Sequence, residues 1–191
     1  MKKQISFVIS ASFLGLVISL GTPWTAQAAP IPGTATSTLV SPQLGIYRSP
    51  LGFEISAGDS GWKQGEAPSE NKFIATIYKA PAKSSKADVG SLTVRVDKLA
   101  KEVAIDKYVQ RWVKEYPKYG FDVLGSKPFS QNKERGFVLD LINRDNGRQL
   151  RQVVFLKKQK AVILTCRDQV STFKDSLKNC NQIIRTFQWT E

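Results

Sequence analysis

The last third of the chain constrains the fold most, because three apolar segments follow one another there with only short polar breaks. The segments are residues 135–142 (RGFVLDLI), 148–158 (RQLRQVVFLKK) and 160–166 (KAVILTC). Asn146 and Gly147 lie in the first break, and both residue types tolerate the positive φ of a tight hairpin turn. The second break is a charged loop at residues 157–160. Runs of β-branched residues joined by such turns predict an antiparallel meander.

An amphipathic segment, residues 170–187, closes the chain after the meander. Its apolar residues recur at helical spacing, which predicts a helix with one buried stripe. They are Val170, Phe173, Leu177, Ile184 and Phe187. We therefore expect this helix to lie across the sheet.

The first 28 residues have the features of a secretory signal peptide. Lys2 and Lys3 form a positive start, and an apolar stretch follows at residues 5–20. Residues 26–28 (AQA) fit the small-residue pattern of a cleavage site. A membrane anchor is the competing interpretation, but a stretch of about 16 apolar residues is shorter than the roughly 20 that span a bilayer. We predict an exported protein, periplasmic or secreted, that does not span a membrane after cleavage.

The chain is strongly basic. Its formal net charge of +12 falls to +10 when Lys2 and Lys3 leave with the signal peptide. An excess of this size favours acidic partners such as anionic lipid headgroups, polyanionic sugars or an acidic protein face. Nucleic acid is also polyanionic, but it is not the partner we expect. Solubility alone is the simpler explanation of the excess.

The absence of histidine excludes several classes of active site. Ser-His-Asp and Cys-His catalysis, histidine-ligated metals and imidazole acid–base chemistry all need that side chain. Residues 58–61 (GDSG) copy the sequence around the nucleophile of chymotrypsin-like proteases, but without histidine we interpret them as a turn beside a buried Trp62. Two cysteines are too few for a four-cysteine zinc site. We predict no catalytic residues, no metal site, no cofactor and no enzymatic activity.

Composition divides the rest of the chain into a leader and a domain. Residues 29–44 are rich in Pro, Thr, Ser and Ala and carry no charge, which predicts a flexible leader. The remaining residues, 45–191, are enough for one domain with a proper core. We find no internal repeat and no second boundary within them.

Alternating segments in the first half of this domain predict strands at residues 53–55, 73–79 and 91–99. In the second segment the inward residues are expected to be Phe73, Ala75 and Ile77. In the third segment Leu92, Val94 and Val96 should face inward, and Thr93, Arg95 and Asp97 outward.

Residues 104–119 form the strongest predicted helix. Pro117 disfavours helical geometry at Tyr116, so the regular helix should end one turn early, and Gly120 sits where a C-terminal cap is expected. The next segment, residues 121–130, is predicted to form a strand with a bend at Gly125. The apolar face of the helix comprises Ile105, Tyr108, Val109, Trp112, Val113 and Tyr116.

The elements follow one another in a recognisable order. A short strand and a loop with Trp62 come first, and then a central helix with an aromatic face (YVQRWV, residues 108–113). A bent strand leads into the meander, which ends in LTCRD (residues 164–168) before a helix closing in IIRTFQW (residues 183–189). Two helices flanking about six or seven mostly antiparallel strands form an α+β layered fold. Together these features resemble the Mog1/PsbP-like superfamily, in particular its exported bacterial members.

The resemblance covers roughly residues 45–189 and implies an α/β/α sandwich. The superfamily includes an extrinsic photosystem II subunit, a nuclear transport factor and envelope proteins whose role is not established. Most members are thought to act by binding rather than by catalysis. The resemblance brings no catalytic signature and assigns no site residues.

Cys166 and Cys180 are the first candidate constellation. Two cysteines in an exported chain favour a disulfide, and the segment between them has room to leave the strand and return along the helix. Two free buried thiols and a redox-active pair are the alternatives. A redox pair is disfavoured because the close Cys-X-X-Cys spacing that lowers a thiol pKa is missing.

Four cations on the central helix are the second candidate. Their spacing of i, i+4, i+7 and i+11 aligns them as one stripe, near which only Asp106, Glu115 and Asp122 can offset the charge. Such a stripe could collect phosphates or carboxylates, in an interaction that salt screens. A solvated helix face is the simpler interpretation. The candidate anion-binding residues are Lys107, Arg111, Lys114 and Lys118.

Aromatic and acidic residues give weaker candidates. Four aromatic residues fit packing in the core or at its edge better than a sugar-binding platform: Trp62, Tyr108, Trp112 and Trp189. A glycosidase needs two carboxylates that face each other across a cleft, and the sequence gives no reason to pair Asp140 with Asp97 or Asp168.

These observations predict a non-catalytic exported binding or accessory protein of the cell envelope. Its partner is either an unidentified envelope protein or an anionic lipid or polysaccharide surface that meets the basic helix face. A histidine-free hydrolase is the remaining alternative.

Overall fold

The computed structural model describes residues 45–82 and 89–190. The predicted signal peptide and leader lie outside these residues. Within them the chain forms two helices and ten strands. In chain order these are β1 Ile46–Ser49, β2 Phe53–Ser56, β3 Lys63–Gly65, β4 Ile74–Lys79, β5 Ser91–Lys98, α1 Ile105–Glu115, β6 Phe121–Gln131, β7 Glu134–Asn143, β8 Arg148–Lys157, β9 Lys160–Gln169, α2 Val170–Arg185 and β10 Gln188–Trp189.

Seven strands form the main sheet in the order β3-β4-β5-β9-β8-β7-β6, and every neighbouring pair is antiparallel. The predicted meander is confirmed as β7-β8-β9, with β9 at the centre of the sheet. A second sheet of three strands, β1-β2-β10, brings the two ends of the described chain together. The predicted α+β class is therefore confirmed.

The two helices cover opposite faces of the main sheet. Along β9, Val162, Leu164 and Cys166 join one core with α2 and the small sheet. The alternate residues Ala161 and Ile163 join a second core with α1. Because both faces of β9 are covered, its sequence is a nearly continuous apolar run rather than an alternation. This arrangement is the predicted α/β/α sandwich.

A disulfide between Cys166 and Cys180 joins β9 to α2. The Cα atoms are 6.0 Å apart, and both residues are fully buried. The bridge that the sequence favoured is thus confirmed, and the free-thiol and redox alternatives are set aside, because neither sulfur is free or accessible. The bridge fixes α2 to the central strand of the sheet.

The predicted irregularities of the chain have clear backbone causes. Helix α1 ends at Glu115 and a 3₁₀ turn, Tyr116–Tyr119, follows, with Gly120 in the left-handed region at φ +78°. The bend in β6 is a shift of register between Val123 and Gly125 in its pairing with β7. Both features agree with the expectations from Pro117 and Gly125.

The first turn of the meander differs from the prediction at Asn146. Gly147 has a positive φ of +62°, but Asn146 does not. The Asn143 side chain instead accepts hydrogen bonds from the backbone N–H groups of Asp145 and Asn146, at 2.9 and 3.2 Å. Hydrogen bonds to the Asn143 side chain therefore stabilise the turn, and a second left-handed residue at Asn146 is not required.

Two predicted core positions are exposed. Phe73 was expected inside, but its side chain is 65% exposed, because β4 begins after it and its pairing with β5 shifts between Ile74 and Thr76. Val170 was expected in the buried stripe of the last helix, but it is the first residue of α2 and is 48% exposed. Phe73 lies just before β4 and Val170 begins α2, and at such boundaries the periodic pattern does not determine orientation.

Candidate anion-binding site

The polar side of β5 faces α1, so its predicted outward orientation is wrong. Arg95 Nη2 donates a hydrogen bond to Asp97 Oδ2 at 2.9 Å, and the Tyr108 hydroxyl of α1 donates to the same oxygen at 2.7 Å. The Arg95 guanidinium carbon lies 5.2 Å from the centroid of the Trp112 ring, within cation–π distance. Thr93 is half-buried on the same face of the strand. These contacts hold the Asp97 carboxylate between two donors beneath the helix.

Burial further favours the neutral form of two tyrosine hydroxyls on this face. Desolvation raises the pKa of Tyr108 well above its ordinary value, and the hydrogen bond to the Asp97 carboxylate raises it further. Burial also raises the pKa of Tyr116, whose hydroxyl donates to the Gln152 side chain. At neutral pH both groups therefore act as hydrogen-bond donors and not as bases.

The outer side of α1 carries the predicted stripe, and all four of its side chains are exposed. Lys107, Arg111 and Lys114 lie on the helix itself. Lys118 lies in the 3₁₀ turn beyond it, and its Nζ is 3.0 Å from Glu115 Oε1. The stripe thus consists of three cations on one helix face and one ion-paired lysine. We call Lys107, Arg111 and Lys114 the cationic face.

Nearby carboxylates do not neutralise the cationic face. Asp106 pairs with Arg135 at 3.0 Å, and Asp122 pairs with Arg144 at 3.0 Å. Within residues 45–82 and 89–190, no acidic side chain forms an ion pair with any of the three cations. Asp106 and Asp122 are thus engaged elsewhere and Glu115 pairs with Lys118, so the charge of the cationic face is not compensated by an ion pair.

The three cations border an open depression on the helix surface. It has a volume of about 300 Å³, and Gln110 and Glu115 complete its lining. Cations that converge on one concavity can contact one phosphate or carboxylate group together. The geometry therefore suits an anionic group, whether it belongs to a protein, a lipid or a sugar.

A larger groove, which we call the α1 groove, lies between α1 and the loop that precedes it. Its volume is about 460 Å³, within the range of small-molecule sites. The lining consists of Phe73, Asp97, Lys98, Leu99, Ala100, Lys101, Val103, Lys107, Tyr108, Arg111 and Trp112. Two members of the cationic face, Lys107 and Arg111, therefore border both the groove and the depression.

Sequence reasoning missed most of the α1 groove. Lys98 is the last residue of β5, Lys101 belongs to the short loop after it, which has no periodic signal, and Phe73 was assigned to the core. The one available signal was the run of cations that begins before the helix, at Lys98, and continues along it.

The weaker candidates have structural partners. Trp62 and Tyr108 are buried, and Trp112 packs at the edge of the core beneath α1, where it also lines the α1 groove. The backbone N–H of Trp62 donates to Ser60 Oγ at 3.1 Å, which fits a turn. Trp189 is partly buried against the core that contains α2.

The three acidic residues considered for a glycosidase, Asp97, Asp140 and Asp168, do not pair with one another. Asp140 accepts two hydrogen bonds from Arg151, at 2.7 and 2.8 Å. Asp168 accepts a hydrogen bond from Ser176, and Asp97 is held by Arg95 and Tyr108. Each of these three carboxylates therefore has a partner of its own.

Two kinds of feature are absent from the described part of the chain. No cluster of three or more His, Cys, Asp or Glu residues there is arranged to hold a metal ion. None of the helices in that part combines the length and apolar character that crossing a bilayer requires.

Comparison with known proteins shows the fold. No family model matches the sequence, and no curated protein matches it. The solution structure of cyanobacterial PsbP (CyanoP) from Synechocystis sp. PCC 6803 matches with a TM-score of 0.55 at 12% identity, covering 83% of this chain and 98% of that one. LpqN of Mycobacterium tuberculosis, a protein involved in cell envelope biogenesis, matches with a TM-score of 0.59 at 16% identity, covering 78% and 91%.

A third match extends the comparison to Pseudomonas aeruginosa. The protein of unknown function PA94 from that organism has a TM-score of 0.54 at 19% identity and covers 75% of this chain and 94% of its own. Because all three matches cover nearly the whole of the matched chains, the likeness extends over the complete layered architecture. The protein thus has a Mog1/PsbP-like fold, as the order of its elements indicated.

Proposed function

We propose that this protein is an exported, non-catalytic binding or accessory protein of the cell envelope, and that its cationic face contacts an acidic surface of a partner protein. The charge balance of α1 carries the proposal. Lys107, Arg111 and Lys114 have no ion-pair partner among the described residues, whereas Asp106 and Asp122 are paired elsewhere. An acidic partner surface would supply the missing carboxylates.

Three observations support the location in the envelope. Residues 1–28 have the pattern of a signal peptide. The Cys166–Cys180 disulfide fits an oxidising compartment, where such bridges form and persist. One structural neighbour, LpqN, is involved in cell envelope biogenesis.

The chemistry of the described residues supports binding rather than catalysis. The chain contains no histidine. The carboxylates of Asp97, Asp140 and Asp168 are each held by a cation or a hydroxyl and not by one another. The raised pKa values of Tyr108 and Tyr116 remove them as bases at neutral pH.

An anionic lipid or polysaccharide surface is the second candidate partner. The depression bordered by the cationic face favours it, because three cations around one concavity can hold a phosphate or carboxylate group. Exposed charges are screened within about 10 Å at 0.1 M salt. Binding to a polyanion should therefore collapse steeply as salt rises, whereas a protein interface that also buries apolar area should withstand moderate salt.

Crosslinked affinity capture tests the proposal. The full chain is expressed and purified after export, and its N-terminus is sequenced to check the predicted cleavage. The wild type is compared with a variant that carries K107E, R111E and K114E. A matched control carries K174E and K178E on the exposed side of α2, which places reversed charges i, i+4 apart on the other helix. Capture is carried out on envelope fractions of the source organism at two salt concentrations.

The outcomes separate the candidates. One protein enriched by the wild type and by the α2 control, but lost from the α1 variant, supports the accessory-protein proposal. Recovery of lipid or polysaccharide alone, with steep salt dependence, supports the second candidate instead. Equal recovery by all three proteins would show that the cationic face is a solvated surface and would overturn both.

A further inference from the structure

We propose that the α1 groove binds the aliphatic chain of an anionic amphiphile, with its carboxylate or phosphate headgroup at Lys101, Lys107 and Arg111. This inference goes beyond the proposed function, because the groove includes apolar residues that the cationic face does not contain. It also requires no protein partner.

Phe73, an exposed aromatic residue on a fixed backbone, lines the groove. The Phe73 side chain is 65% exposed. Its backbone is nevertheless held on both sides, since its N–H donates to Asn71 Oδ1 at 3.2 Å and its carbonyl accepts from the Val96 N–H at 2.9 Å. A large apolar side chain presented to solvent on a fixed backbone is a feature of binding surfaces.

Other apolar residues that line the groove are also held in place by the fold. The N–H of Leu99 donates to the Gln159 carbonyl at 2.8 Å, which ties the loop after β5 to the turn between β8 and β9. Leu99 and Val103 pack against the core beneath α1, and Trp112 lies on the helix side. The groove therefore has apolar walls held by the sheet and the helix, and it does not need to form around a ligand.

The charges around the groove select an anion. Lys98, Lys101, Lys107 and Arg111 line it and are exposed. The acidic residue in the lining, Asp97, is already held by two donors, so it opposes an incoming anion only weakly. A purely polar anion would leave the apolar walls unused, and a neutral chain would leave the cations unpaired. A ligand with an aliphatic chain and an anionic head satisfies both.

Two further grooves meet the first one at Lys98. One of about 460 Å³ is reached past Phe73 and is lined by apolar residues of the β1–β2 hairpin, among them Leu51. Another of about 470 Å³ runs past Leu99 toward Lys160. A chain longer than the α1 groove can therefore continue along apolar surface, and affinity is expected to rise with chain length.

Titration with alkyl carboxylates tests the proposal. Octanoate, decanoate and dodecanoate are used below their micelle concentrations, with butyrate as the short anion and dodecyl phosphate as the second headgroup. Burial of each added methylene should raise the affinity by up to about fourfold. The indole N–H signal of Trp112 in a ¹⁵N NMR spectrum should shift, while those of Trp62 and Trp189, which belong to the other core, serve as internal references.

Variants locate the site on the protein. F73S should lower dodecanoate affinity by about tenfold, because it removes an apolar wall. K107E with R111E should lower it by a similar factor, and K174E with K178E on α2 should leave it unchanged. Phe73, Lys107 and Arg111 are exposed, so the variants should fold, and an unchanged melting temperature is the check.

Each outcome decides the proposal. Affinity that rises with chain length and falls in F73S supports it, and the preference between dodecanoate and dodecyl phosphate identifies the headgroup. Equal affinity for butyrate and dodecanoate, or dodecanoate binding that F73S leaves unchanged, overturns it. Because F73S keeps Lys107, Arg111 and Lys114, partner capture by F73S should be normal, so the two proposals fail independently.

Discussion

Removal of the disulfide should destabilise the protein by a calculable amount. The bridge joins residues separated by 14 positions, and the chain-entropy model gives about 3 kcal/mol for closing a loop of that size. The variant C166A with C180A should therefore lose about 3 kcal/mol of unfolding free energy. For a chain of this size that corresponds to a melting temperature lower by roughly 6–12 °C. The effect should be large because the bridge ties α2 to β9, the central strand of the main sheet.

Guanidinium unfolding with and without dithiothreitol measures this effect. The wild type should lose about 3 kcal/mol on reduction, and the double variant should not respond to the reductant. Comparison of the reduced wild type with the double variant thus separates the loss of unfolding free energy due to the missing bridge from the loss due to the two smaller side chains. If the reduced wild type, with both thiols shown to be free by alkylation, remains within about 0.5 kcal/mol of the oxidised form, the entropic argument is wrong.

Three further predictions concern the residues that shape the sheet and its α1 face. Tyr108 has a raised pKa in the folded state, so it contributes stability below its unfolded pKa of about 10. This contribution is lost as the pH rises above that value. Y108F should therefore flatten the decline of the unfolding free energy measured from about pH 8 to pH 11. A Cβ at Gly136 would lie 2.3 Å from the Phe129 ring, so G136A should cost about 1–3 kcal/mol in denaturant unfolding, and F129A in the same chain should relieve part of that cost. D97N removes the carboxylate that Arg95 and Tyr108 share and should cost about 1–3 kcal/mol in the same assay; an unchanged midpoint would show that water replaces the contact.

The fold was predictable where one strong local pattern determined it. The runs of β7, β8 and β9 are long and apolar, the turn at Gly147 is marked by its residue type, and α2 has a clear helical period. These signals need no knowledge of the partner element. The ends of elements were less certain, because at Phe73 and Val170 the periodic pattern has no neighbour on one side to fix its phase.

The orientation of β5 shows what a sequence pattern leaves out. Thr93, Arg95 and Asp97 alternate with apolar residues, and such an alternation is normally read as a solvent-facing side. In the structure that side faces α1, and the Asp97 carboxylate accepts hydrogen bonds from Arg95 and Tyr108. A buried polar row and an exposed one have the same sequence pattern. Only the position of the helix distinguishes them.

The candidate site was predictable in part for a similar reason. The alignment of Lys107, Arg111 and Lys114 follows from helical geometry alone. Whether neighbouring carboxylates neutralise those cations depends on residues far away in the chain, such as Arg135, which pairs with Asp106 across 29 positions. The α1 groove depends on contacts of the same kind, since its walls come from separate segments that only the folded sheet brings together.

The charge pattern of the whole α1 face gives the strongest reason to expect an anionic partner. A basic protein that needed only solubility could leave its cations anywhere on the surface. Here, Arg135 and Arg144 engage Asp106 and Asp122, the carboxylates at the two ends of the helix region, and the cationic face between those ends has no ion-pair partner among the described residues. Like charges that converge on one depression and one groove repel one another and lower stability unless an anion binds there. A binding function predicts such a site, in which the repulsion between like charges lowers the stability of the free protein and a bound anion relieves it.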